Sequence, residues 1–600
     1  MNIDYLGCII VKTFAFFIRR LPLSWSLGIG RFLGRIGYCF YGRRVKVSLA
    51  NLRMALSHQK SPEQLRQINR GLFENLGMNL MEVLYFPKFD KEFMEKYVQV
   101  EGKEYVDQAL EQGKGLIYIG AHFGNWELSA LKISMFGYPL HVLAREQRHS
   151  QLNDLLNSYR QIKGAGVVPK GMAVRQIMRS LKNNQTIGML ADQDSGRRGL
   201  LIRFFGRLAS TASGPIDIAL RTGAAVIPTF FAREEDNSHR LIFYPPLKIK
   251  NTGNKEDDIR SELEEYISIV ESIVNKYPQQ YLWAHKRWKS SSQRRIVILT
   301  DGKAGHLRQA WGVGELFKEV IAKHIRDQWK DYSQNIAGVP KGTAHQTVPY
   351  KTRQNAAFGG IVDCQIINIE FKKNKSKLKL GWLTRVFGRR PGFNLHVLKS
   401  YLTKKSYDQI AGVYGDFIVS CGSGAEAVAY LLGKENNART VHILKPAYIP
   451  IKRFDLGLIP WHDRPQAGKN TLTTLIAPSP ITQQHISQQA EQLTQHINEE
   501  EGVKELDENG SIISVFIGGD TDGYQLRADL ILKLSQHLKT ICCKSNTRVL
   551  ITTSRRTSPK AEEVLIEQFG SDPVCKLLII ANRANIEGAV DGMLGLADTV

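Results

Sequence analysis

The chain has 600 residues, of which 43% are hydrophobic and 9% aromatic, and its 81 lysines and arginines outnumber its 57 aspartates and glutamates. A chain of this length exceeds one ordinary domain, so we expect about two to four. The charged fraction of 23%, without any long low-complexity tract, argues against a disordered, collagen-like or coiled-coil protein. The net charge of +24 indicates an anionic partner, which could be nucleic acid or an anionic membrane.

The first 60 residues contain ten lysines and arginines but a single acid. The basic residues alternate with bulky apolar ones such as Phe17 and Trp25, a pattern that favours a segment at acidic lipid headgroups over a nucleic-acid-binding one. Lys12 and Arg19 interrupt the apolar run before it reaches the ~20 residues that span a bilayer, and the segment fits a signal peptide badly. We therefore expect residues 1–60 to associate with a membrane, lying on it or spanning it poorly, and the chain to stay cytoplasmic.

Two changes of pattern divide the rest of the chain. A helical spacing of apolar residues stops at Pro278, and Ser-rich, charged residues then precede a new strand at Ile296. A softer boundary lies at about 483–510. Strands alternate with amphipathic helices throughout, which predicts an α/β fold with mostly parallel sheets. The expected parts are a membrane-associating segment at 1–60, a first domain at 61–290, a linker at 291–295, and two further α/β halves at 296–505 and 510–600.

A predicted strand at 116–119 runs into the sequence Gly120-Ala121-His122-Phe123-Gly124-Asn125-Trp126-Glu127, and a helix follows. Active sites of α/β sheets collect at such carboxyl ends of strands. Asn125 is a predicted N-cap, with Glu127 in the first helical turn. His122 and Glu127 can face each other, so that the carboxylate fixes the imidazole tautomer and the other nitrogen acts as a general base on a hydroxyl. For so short a motif, a capping glutamate beside a hydrogen-bonded turn histidine is the alternative.

The stretch from His122 to Glu127 resembles the active-site motif of the lipid A biosynthesis lauroyl/myristoyl acyltransferases, within the lysophospholipid acyltransferase superfamily. The resemblance covers about residues 1–290. Further collinear matches are Asn51-Leu52, Asp192-Gln193-Asp194, Phe204-Phe205-Gly206, Ala219-Leu220-Arg221-Thr222-Gly223-Ala224 leading to Pro228, and Tyr281-Leu282-Trp283-Ala284-His285-Lys286-Arg287-Trp288-Lys289.

This resemblance implies transfer of a fatty acyl group from acyl-carrier-protein to a hydroxyl of a lipid A-type glycolipid, at the cytoplasmic face of the inner membrane. By the same resemblance His122 is the base and Glu127 its orienting carboxylate, while Asn125, Arg160 and Asp192 contact the substrate. The implied partners are the carrier protein, the anionic membrane surface and the glycolipid acceptor, with no nucleic acid, no bound cofactor and no metal. Another glycolipid or a lysophospholipid is the alternative acceptor.

Several turns in the second half of the chain follow predicted strands. Glycine-bearing turns present backbone N–H groups to anions, and arginine pairs with phosphate. Neither a P-loop nor a dinucleotide fingerprint is present, and ordinary turn chemistry is the alternative for each turn taken alone. The turns are Asp301-Gly302-Lys303-Ala304-Gly305-His306, Gly422-Ser423-Gly424, Gly518-Gly519-Asp520 and Ser554-Arg555-Arg556-Thr557.

The first, third and fourth of these turns, together with Phe454-Asp455-Leu456 and Pro460-Trp461-His462-Asp463, resemble bacterial relatives of the plant ELM-type mitochondrial fission proteins over about residues 296–600. That family is classed with glycosyltransferases of the GT-B kind, which have two Rossmann-like halves. The resemblance implies a nucleotide-sugar donor, and a non-catalytic binding or regulatory module is the alternative. Because the family has a further nucleotide-sugar turn beyond the point matching Val600, we expect the half at 510–600 to be incomplete. The implied donor contacts are Gly302, Lys303, His306, Gly424, Gly518, Gly519, Ser554, Arg555 and Arg556.

Overall fold

Helices and mostly parallel strands alternate along the described part of the chain, which confirms the predicted α/β class. The chain divides into two units, Met1–Pro478 and Ser479–Val600. The computed structural model describes residues 3–40, 42–144, 150–162, 164–169, 173–250, 252–337, 362–390, 392–465, 468–479, 481–499, 510–520, 524–584 and 586–600.

The first 290 residues contain eleven described α-helices and nine described strands. The helices are α1 (Ile3–Ile18), α2 (Leu23–Cys39), α3 (Arg43–Leu56), α4 (Pro62–Tyr85), α5 (Lys91–Tyr97), α6 (Lys103–Glu111), α7 (Trp126–Ser134), α8 (Ser150–Gln161), α9 (Ala173–Lys182), α10 (Gly214–Thr222) and α11 (Lys255–Lys276). The strands are β1 (Val98–Glu101), β2 (Leu116–Gly120), β3 (Leu140–Ala144), β4 (Gly166–Pro169), β5 (Thr186–Leu190), β6 (Leu200–Phe204), β7 (Arg207–Thr211), β8 (Ala225–Arg233) and β9 (His239–Phe243).

Seven of these strands form one sheet in the order β1-β9-β8-β2-β5-β3-β4, while β6 and β7 pair as a separate hairpin. Neighbouring strands of the sheet are parallel except β8 and β9. The central strand β2 is buried along its whole length because helices cover both faces of the sheet. Its carboxyl end, next to that of β5, positions the predicted histidine motif.

The basic segment at 1–60 divides into two parts. Helices α1 and α2 expose bulky apolar side chains, including Ile10, Phe17, Trp25 and Phe32. Helix α3 is instead mostly buried, and its Arg53 is only 2% exposed. The place of Arg53 in the basic N-terminal sequence had indicated an exposed charge. Because Arg53 is buried, it does not belong to a basic surface. Within the described residues no helix is long and apolar enough to cross a membrane.

Residues 294–478 form a second sheet with its own helices in the same unit. The six strands are all parallel, in the order β11-β10-β12-β13-β14-β15. The strands are β10 (Arg294–Thr300), β11 (Val362–Asn368), β12 (Phe417–Cys421), β13 (Arg439–Ile443), β14 (Leu456–Pro460) and β15 (Thr471–Thr474), and the helices are α12 (Ala304–Ala337), α13 (Asn374–Phe387), α14 (Lys404–Gly412) and α15 (Glu426–Asn436).

The expected linker at 291–295 is part of a packed junction between the two sheets. Ser291 and Ser292 are buried, and β10 already begins at Arg294. The buried Arg53 forms an ion pair with Glu435 and donates to the Ala411 carbonyl oxygen at 2.8 Å. The polar residues of this stretch therefore supply hydrogen bonds at a buried boundary and are not all exposed to solvent.

The C-terminal unit contains a three-stranded parallel sheet in the order β16-β17-β18. Residues 598 and 599 hydrogen-bond to β16 on its free side, which extends the sheet in the pattern of a Rossmann-like half. Helix α16 packs on α19 inside this unit, which begins at Ser479, close to the start of the boundary expected at about 483–510. The elements are α16 (Gln483–Glu499), β16 (Ser511–Ile517), α17 (Ala528–Lys544), β17 (Thr547–Thr553), α18 (Pro559–Phe569), β18 (Cys575–Ile579) and α19 (Ala589–Leu596).

Candidate active sites

His122 and Asp192 meet at the carboxyl ends of two neighbouring strands. Gly120 of β2 pairs with Leu190 of β5 in parallel register. Each of the two site residues lies two positions beyond that pair, so the register itself brings them together. The His122 Nδ1 atom lies 2.8 Å from an oxygen of Asp192. A carboxylate therefore contacts the imidazole, as predicted. This carboxylate follows strand β5 and does not come from the helix after His122.

The electrostatics of this pair favour an ionised Asp192 beside a basic imidazole. Burial alone lowers the pKa of His122, but the charge and hydrogen bond of Asp192 raise it by more, so the net direction is upward. Burial alone raises the pKa of Asp192, whereas His122, followed by His285 and Arg287, lowers it to about 2. Because its pKa is lowered to about 2, Asp192 is an anion at neutral pH although it is only 1% exposed.

The other imidazole nitrogen of His122, Nε2, faces an amide donor. The Gln193 side-chain amide nitrogen lies 3.2 Å from His122 Nε2 and can donate to it. In the neutral tautomer whose Nδ1–H donates to Asp192, Nε2 carries the lone pair that accepts this hydrogen bond. The Trp126 ring packs edge-on against the imidazole, with 5.2 Å between the ring centroids. A hydroxyl that replaced the Gln193 amide would meet a base that is already oriented.

Glu127 and Arg160 pair with each other. The Arg160 guanidinium donates from Nε and Nη2 to the two oxygens of Glu127, at 2.7 and 2.5 Å. The orienting hydrogen bond predicted for Glu127 is therefore made by Asp192, while Glu127 fixes Arg160. Both members of the pair line the same cavity as His122. A bidentate pair holds the guanidinium in one orientation beside the imidazole.

Asn125 was predicted to contact the substrate, but its side chain is used inside the protein. It is 2% exposed and caps α7, where its carbonyl oxygen accepts from the Leu128 backbone N–H at 3.1 Å. Its amide nitrogen donates to Glu82 at 2.7 Å. Gly124, just before it, has φ of +56°, and a Cβ there would overlap the Phe231 carbonyl. Asn125 and Gly124 thus fix the course of the motif.

A buried polar cluster behind the motif was missed by the sequence analysis. Glu82 is fully buried and accepts hydrogen bonds from Asn125, Arg233, His239 and Tyr97. Burial alone raises the pKa of Glu82, but Arg233 and then His239 lower it far more, so that it stays ionised. The available signal was a lone glutamate inside the apolar run 80–84 of α4.

Asn79 ties the same cluster to the motif from the other side. Its amide nitrogen donates to the Gly124 carbonyl oxygen at 2.6 Å, and its carbonyl oxygen accepts from Arg233 at 2.9 Å. Because every one of these groups is buried, removing one partner would leave the others without hydrogen bonds. The cluster therefore holds the loop that carries His122.

A cavity of about 630 Å³ opens beside His122. Its walls are mostly aliphatic and aromatic, and its polar lining includes His122, Glu127 and Arg160. An apolar cavity that ends on a few convergent polar groups suits a ligand with a long hydrocarbon part and one reactive polar end. Its apolar lining includes Trp126, Ala130, Ile133, Leu140, Val142, Leu143, Leu152, Leu156, Met189, Leu190 and Phe230.

A second histidine–aspartate pair lies at the carboxyl end of β10. His306 Nδ1 is 2.9 Å from an oxygen of Asp301. The side chain of His306 is 19% exposed and that of Asp301 is 9% exposed. Burial alone raises the pKa of Asp301, but the His306 hydrogen bond and charge, with the charge of Lys303, lower it below its ordinary value. Asp301 is therefore an anion that orients the imidazole.

Glycines that follow the neighbouring strand β12 make room for this pair. Gly422 has φ of +74°, and a Cβ there would overlap the His306 ring. A Cβ on Gly424 would lie 2.5 Å from the Asp301 side chain. The structure thus brings together Gly302, Lys303, His306 and Gly424 among the predicted donor contacts. Asp301 is the member that the sequence prediction did not assign to this site.

The remaining predicted donor contacts lie together in the C-terminal unit. Gly518 and Gly519 follow β16, and the turn from Ser554 to Arg556 follows the neighbouring strand β17. The Thr557 hydroxyl donates to the Gly518 carbonyl oxygen at 2.7 Å, and a Cβ on Gly519 would overlap the Arg556 backbone. Both arginines of this turn are exposed, so the two turns form one basic edge of the small sheet.

No metal centre is present among the residues that the structure describes, since they contain no group of three or more His, Cys, Asp or Glu side chains arranged to hold an ion.

Comparison with known proteins matches the two halves of the chain to two different families. Residues 2–290 match the family model for bacterial lipid A biosynthesis acyltransferases. The lipid A biosynthesis lauroyltransferase of Escherichia coli (strain K12) is 25% identical over 272 residues, which are 45% of this chain and 86% of that protein. The palmitoleoyltransferase of the same strain is 25% identical over 277 residues, covering 45% of this chain and 87% of that protein.

A relative with a different acceptor in its name also matches this half. The phosphatidylinositol mannoside acyltransferase of Mycobacterium tuberculosis (strain ATCC 25618 / H37Rv) is 26% identical over 241 residues, which are 39% of this chain and 72% of that protein. Residues 304–600 match the family model for mitochondrial fission ELM1. The chain therefore joins an N-terminal domain of the bacterial lipid A biosynthesis acyltransferase family to a C-terminal domain of the mitochondrial fission ELM1 family.

Proposed function

We propose that the N-terminal domain transfers a fatty acyl group from an acyl-carrier-protein thioester to a hydroxyl of a lipid A-type glycolipid, with His122 as the general base. The observation that carries this proposal is the Asp192-oriented imidazole in the wall of an apolar cavity. An acyl thioester supplies the hydrocarbon chain that such a cavity suits, and a hydroxyl acceptor needs the base.

In the proposed reaction the acceptor hydroxyl takes the place of the Gln193 amide at His122 Nε2. The imidazole removes the hydroxyl proton while the oxygen bonds to the thioester carbonyl carbon. The carbon–sulfur bond then breaks, and the proton passes from Nε2 to the leaving thiolate. Asp192 stabilises the imidazolium that exists between these two transfers and is not itself protonated. The depressed pKa of Asp192 supports this assignment.

Arg160 supplies positive charge near the reacting carbonyl in this proposal. Its guanidinium is always charged, and Glu127 fixes its direction by two hydrogen bonds. A developing oxyanion would gain from a donor that is already oriented, since no reorganisation is then needed in the transition state. The motif glutamate thus acts on the arginine, and Asp192 acts on the histidine.

The N-terminal helices provide the proposed membrane surface. The apolar side chains that α1 and α2 expose lie beside the basic residues Lys12, Arg20 and Arg31, which are also exposed. Helices of this composition lie at the boundary between headgroups and acyl chains of anionic membranes. We place the domain on the cytoplasmic face of the inner membrane, where a glycolipid acceptor and an acidic carrier protein can both reach it.

The test is acylation by the purified full-length chain. Acyl-carrier-protein thioester and an under-acylated lipid A precursor should yield a product heavier by one acyl chain, detected by mass spectrometry. Because general-base catalysis contributes about 10²- to 10⁴-fold, His122→Ala should remove most of the product. Failure with lipid A precursors, other glycolipids and lysophospholipids alike would overturn the proposal.

For the C-terminal domain we propose transfer of a sugar from a nucleotide-sugar donor, and the specific support is the second histidine–aspartate pair. A hydroxyl acceptor in sugar transfer needs a base just as an acyl acceptor does. The basic edge formed by the turns after β16 and β17 suits a diphosphate. A binding or regulatory module remains the competing function.

A nucleotide-sugar titration, combined with a product assay, distinguishes sugar transfer from binding without a reaction. Saturable nucleotide-sugar binding that weakens in Arg555→Ala, together with product formation that is lost in His306→Ala, would support transfer. Binding without product would indicate a regulatory module. Because Arg555 is exposed, it can be replaced without disturbing the sheet. An absence of nucleotide-sugar binding in the unmodified chain would count against both transfer and a binding module.

A further inference from the structure

Helix α13 and the residues that flank it carry a concentration of positive charge that neither proposed reaction uses. Between residues 371 and 390 there are eight lysines and arginines and no aspartate or glutamate. The same stretch contains Leu378, Trp382 and Val386, spaced one helical turn apart. Residues four apart lie on the same face of a helix. The sequence therefore places an apolar stripe within a basic helix.

The structure turns this stripe towards solvent. Leu378 is 58% exposed, Trp382 59% and Val386 48%. Lys375, Lys379 and Arg385 are also exposed, and their positions in the helix place them among the three apolar side chains. Arg389, just after the helix, is exposed as well. Three neighbouring bulky apolar side chains in water are unfavourable unless a partner covers them.

The opposite face of α13 is fixed to the second sheet, so the exposure is not that of a loose helix. Leu380, Gly381 and Thr384 are buried. A Cβ on Gly381 would lie 2.5 Å from the Tyr448 ring, which shows how closely the helix approaches that ring. Arg453 Nη1 donates to the Thr384 carbonyl oxygen at 2.8 Å. The exposed stripe thus belongs to a rigid, packed helix.

We propose that this face of α13, formed by Leu378, Trp382, Val386 and the surrounding lysines and arginines, is a second membrane-binding surface that docks on anionic lipid. Trp382 and its two neighbours enter the headgroup boundary, while the cations meet lipid phosphates. Nucleic acid would pair with the cations but leave Leu378 and Val386 in water. The surface lies in the ELM1-family domain, and its binding depends on neither proposed reaction.

Vesicle flotation of the full-length chain tests the proposal with a matched control. The variant Leu378→Ser/Trp382→Ser/Val386→Ser removes the stripe. The control Leu316→Ser/Trp311→Ser/Val320→Ser makes the same three changes at exposed positions of α12, where lysines and glutamates are mixed. On vesicles of phosphatidylglycerol and phosphatidylcholine the first variant should bind about tenfold more weakly, while the control should bind as the unmodified chain does. Equal binding of the two variants, with no protection of position 382 by vesicles, would overturn the proposal.

The second measurement reads α13 directly, because α1 and α2 can hold the chain on vesicles by themselves. In Trp382→Cys, vesicles should slow maleimide modification of Cys at this position about tenfold, as read by peptide mass spectrometry, and added salt should restore the rate. In the control Trp311→Cys the rate should not change. An unchanged rate at position 382 in vesicle-bound protein would contradict the proposal, whatever the outcome for acyl transfer.

An acidic macromolecule is the alternative occupant. If acyl-carrier-protein or RNA slowed modification at position 382 while anionic vesicles did not, the face would be assigned to that partner and the membrane proposal would be wrong. Neutral phosphatidylcholine vesicles should give little protection, because the cations then lack lipid charge to meet.

Discussion

The histidine–aspartate pairs of the two candidate sites differ in how they are built and in what surrounds them. His122 and Asp192 are 70 residues apart and meet across neighbouring strands, whereas His306 and Asp301 are five residues apart in one turn. In both pairs Nδ1 faces the carboxylate, at 2.8 and 2.9 Å. The first pair lies in an apolar cavity, and the second lies against glycines.

The comparison teaches that the catalytic pair alone does not select the substrate. The same oriented imidazole can activate a hydroxyl in either setting. Aliphatic walls around His122 suit an acyl chain, while open backbone near His306 suits a polar, anionic ligand. Substitutions in either pair, or in the residues around one pair, can therefore separate the two proposed reactions.

The largest effect is expected for Asp192→Asn in acyl transfer. The loss of the orienting charge should lower kcat by about 10²- to 10⁴-fold. Asp192 also raises the pKa of His122, so its removal should lower that pKa. The neutral imidazole is the active form, and the acid limb of the pH–rate profile should therefore move to lower pH. A limb that stays in place or moves upward would contradict the assignment. The exposed Asp154→Asn serves as the control.

The buried cluster behind the first pair should be costly to break. Arg233→Ala leaves the carboxylate of Glu82 buried without its guanidinium, which typically costs about 3–5 kcal/mol. Glu92→Gln removes the exposed partner of Lys96, where both side chains are more than three-quarters exposed, and should change stability by less than about 1 kcal/mol. Chemical denaturation followed by circular dichroism measures both. Similar changes for the two variants would show that the cluster does not stabilise the domain.

The second pair should be sensitive to a single added methyl group. In Gly424→Ala the new Cβ would push against Asp301, so we expect sugar transfer to fall about tenfold or more while acyl transfer is retained. Gly305→Ala adds the same methyl group where nothing lies within 4 Å and should change neither activity. Equal activity of these two variants would mean that the Asp301–His306 geometry is not used.

The smallest effect is a shift in acyl-chain preference. Ala130 lines the cavity from α7, and Ala130→Leu should reduce the space for the chain. Each buried CH₂ contributes about 0.8 kcal/mol, so loss of room for one or two should favour shorter donors by several-fold to about tenfold. Competition between acyl-carrier-protein thioesters of different chain length measures this preference. An unchanged preference, with an unchanged KM for the acceptor, would show that the chain does not occupy this cavity.

Much of the architecture could be predicted from the sequence because it depends on local patterns. The alternation of strands and helices predicts the α/β class, and the turns that follow predicted strands include both His306 and Gly424. His122 was identified from a strand, a turn and a helix cap that are contiguous in the chain. These features need only the periodicity of side chains and the chemistry of turns.

The contacts that the sequence did not predict depend on which parts of the chain become neighbours. Asp192 orients His122 because β2 pairs with β5, an order that neither segment encodes by itself. The Ser-rich stretch at 291–295 resembles a linker, yet its packing depends on partners more than 100 residues away, such as Asp416. Arg53 similarly counts as surface charge in the sequence but is buried against Glu435. Local composition does not report such long-range burial.

The most direct test measures acyl transfer in two matched variants, His122→Ala and His306→Ala. Each removes one imidazole from an otherwise unchanged chain, and mass spectrometry of the glycolipid acceptor reports the product. The account predicts an acylated product from the unmodified chain and from His306→Ala. It predicts a yield at least about 10²-fold lower from His122→Ala. Full acylation by His122→Ala, or its loss in His306→Ala, would contradict the assignment of acyl transfer to the first site.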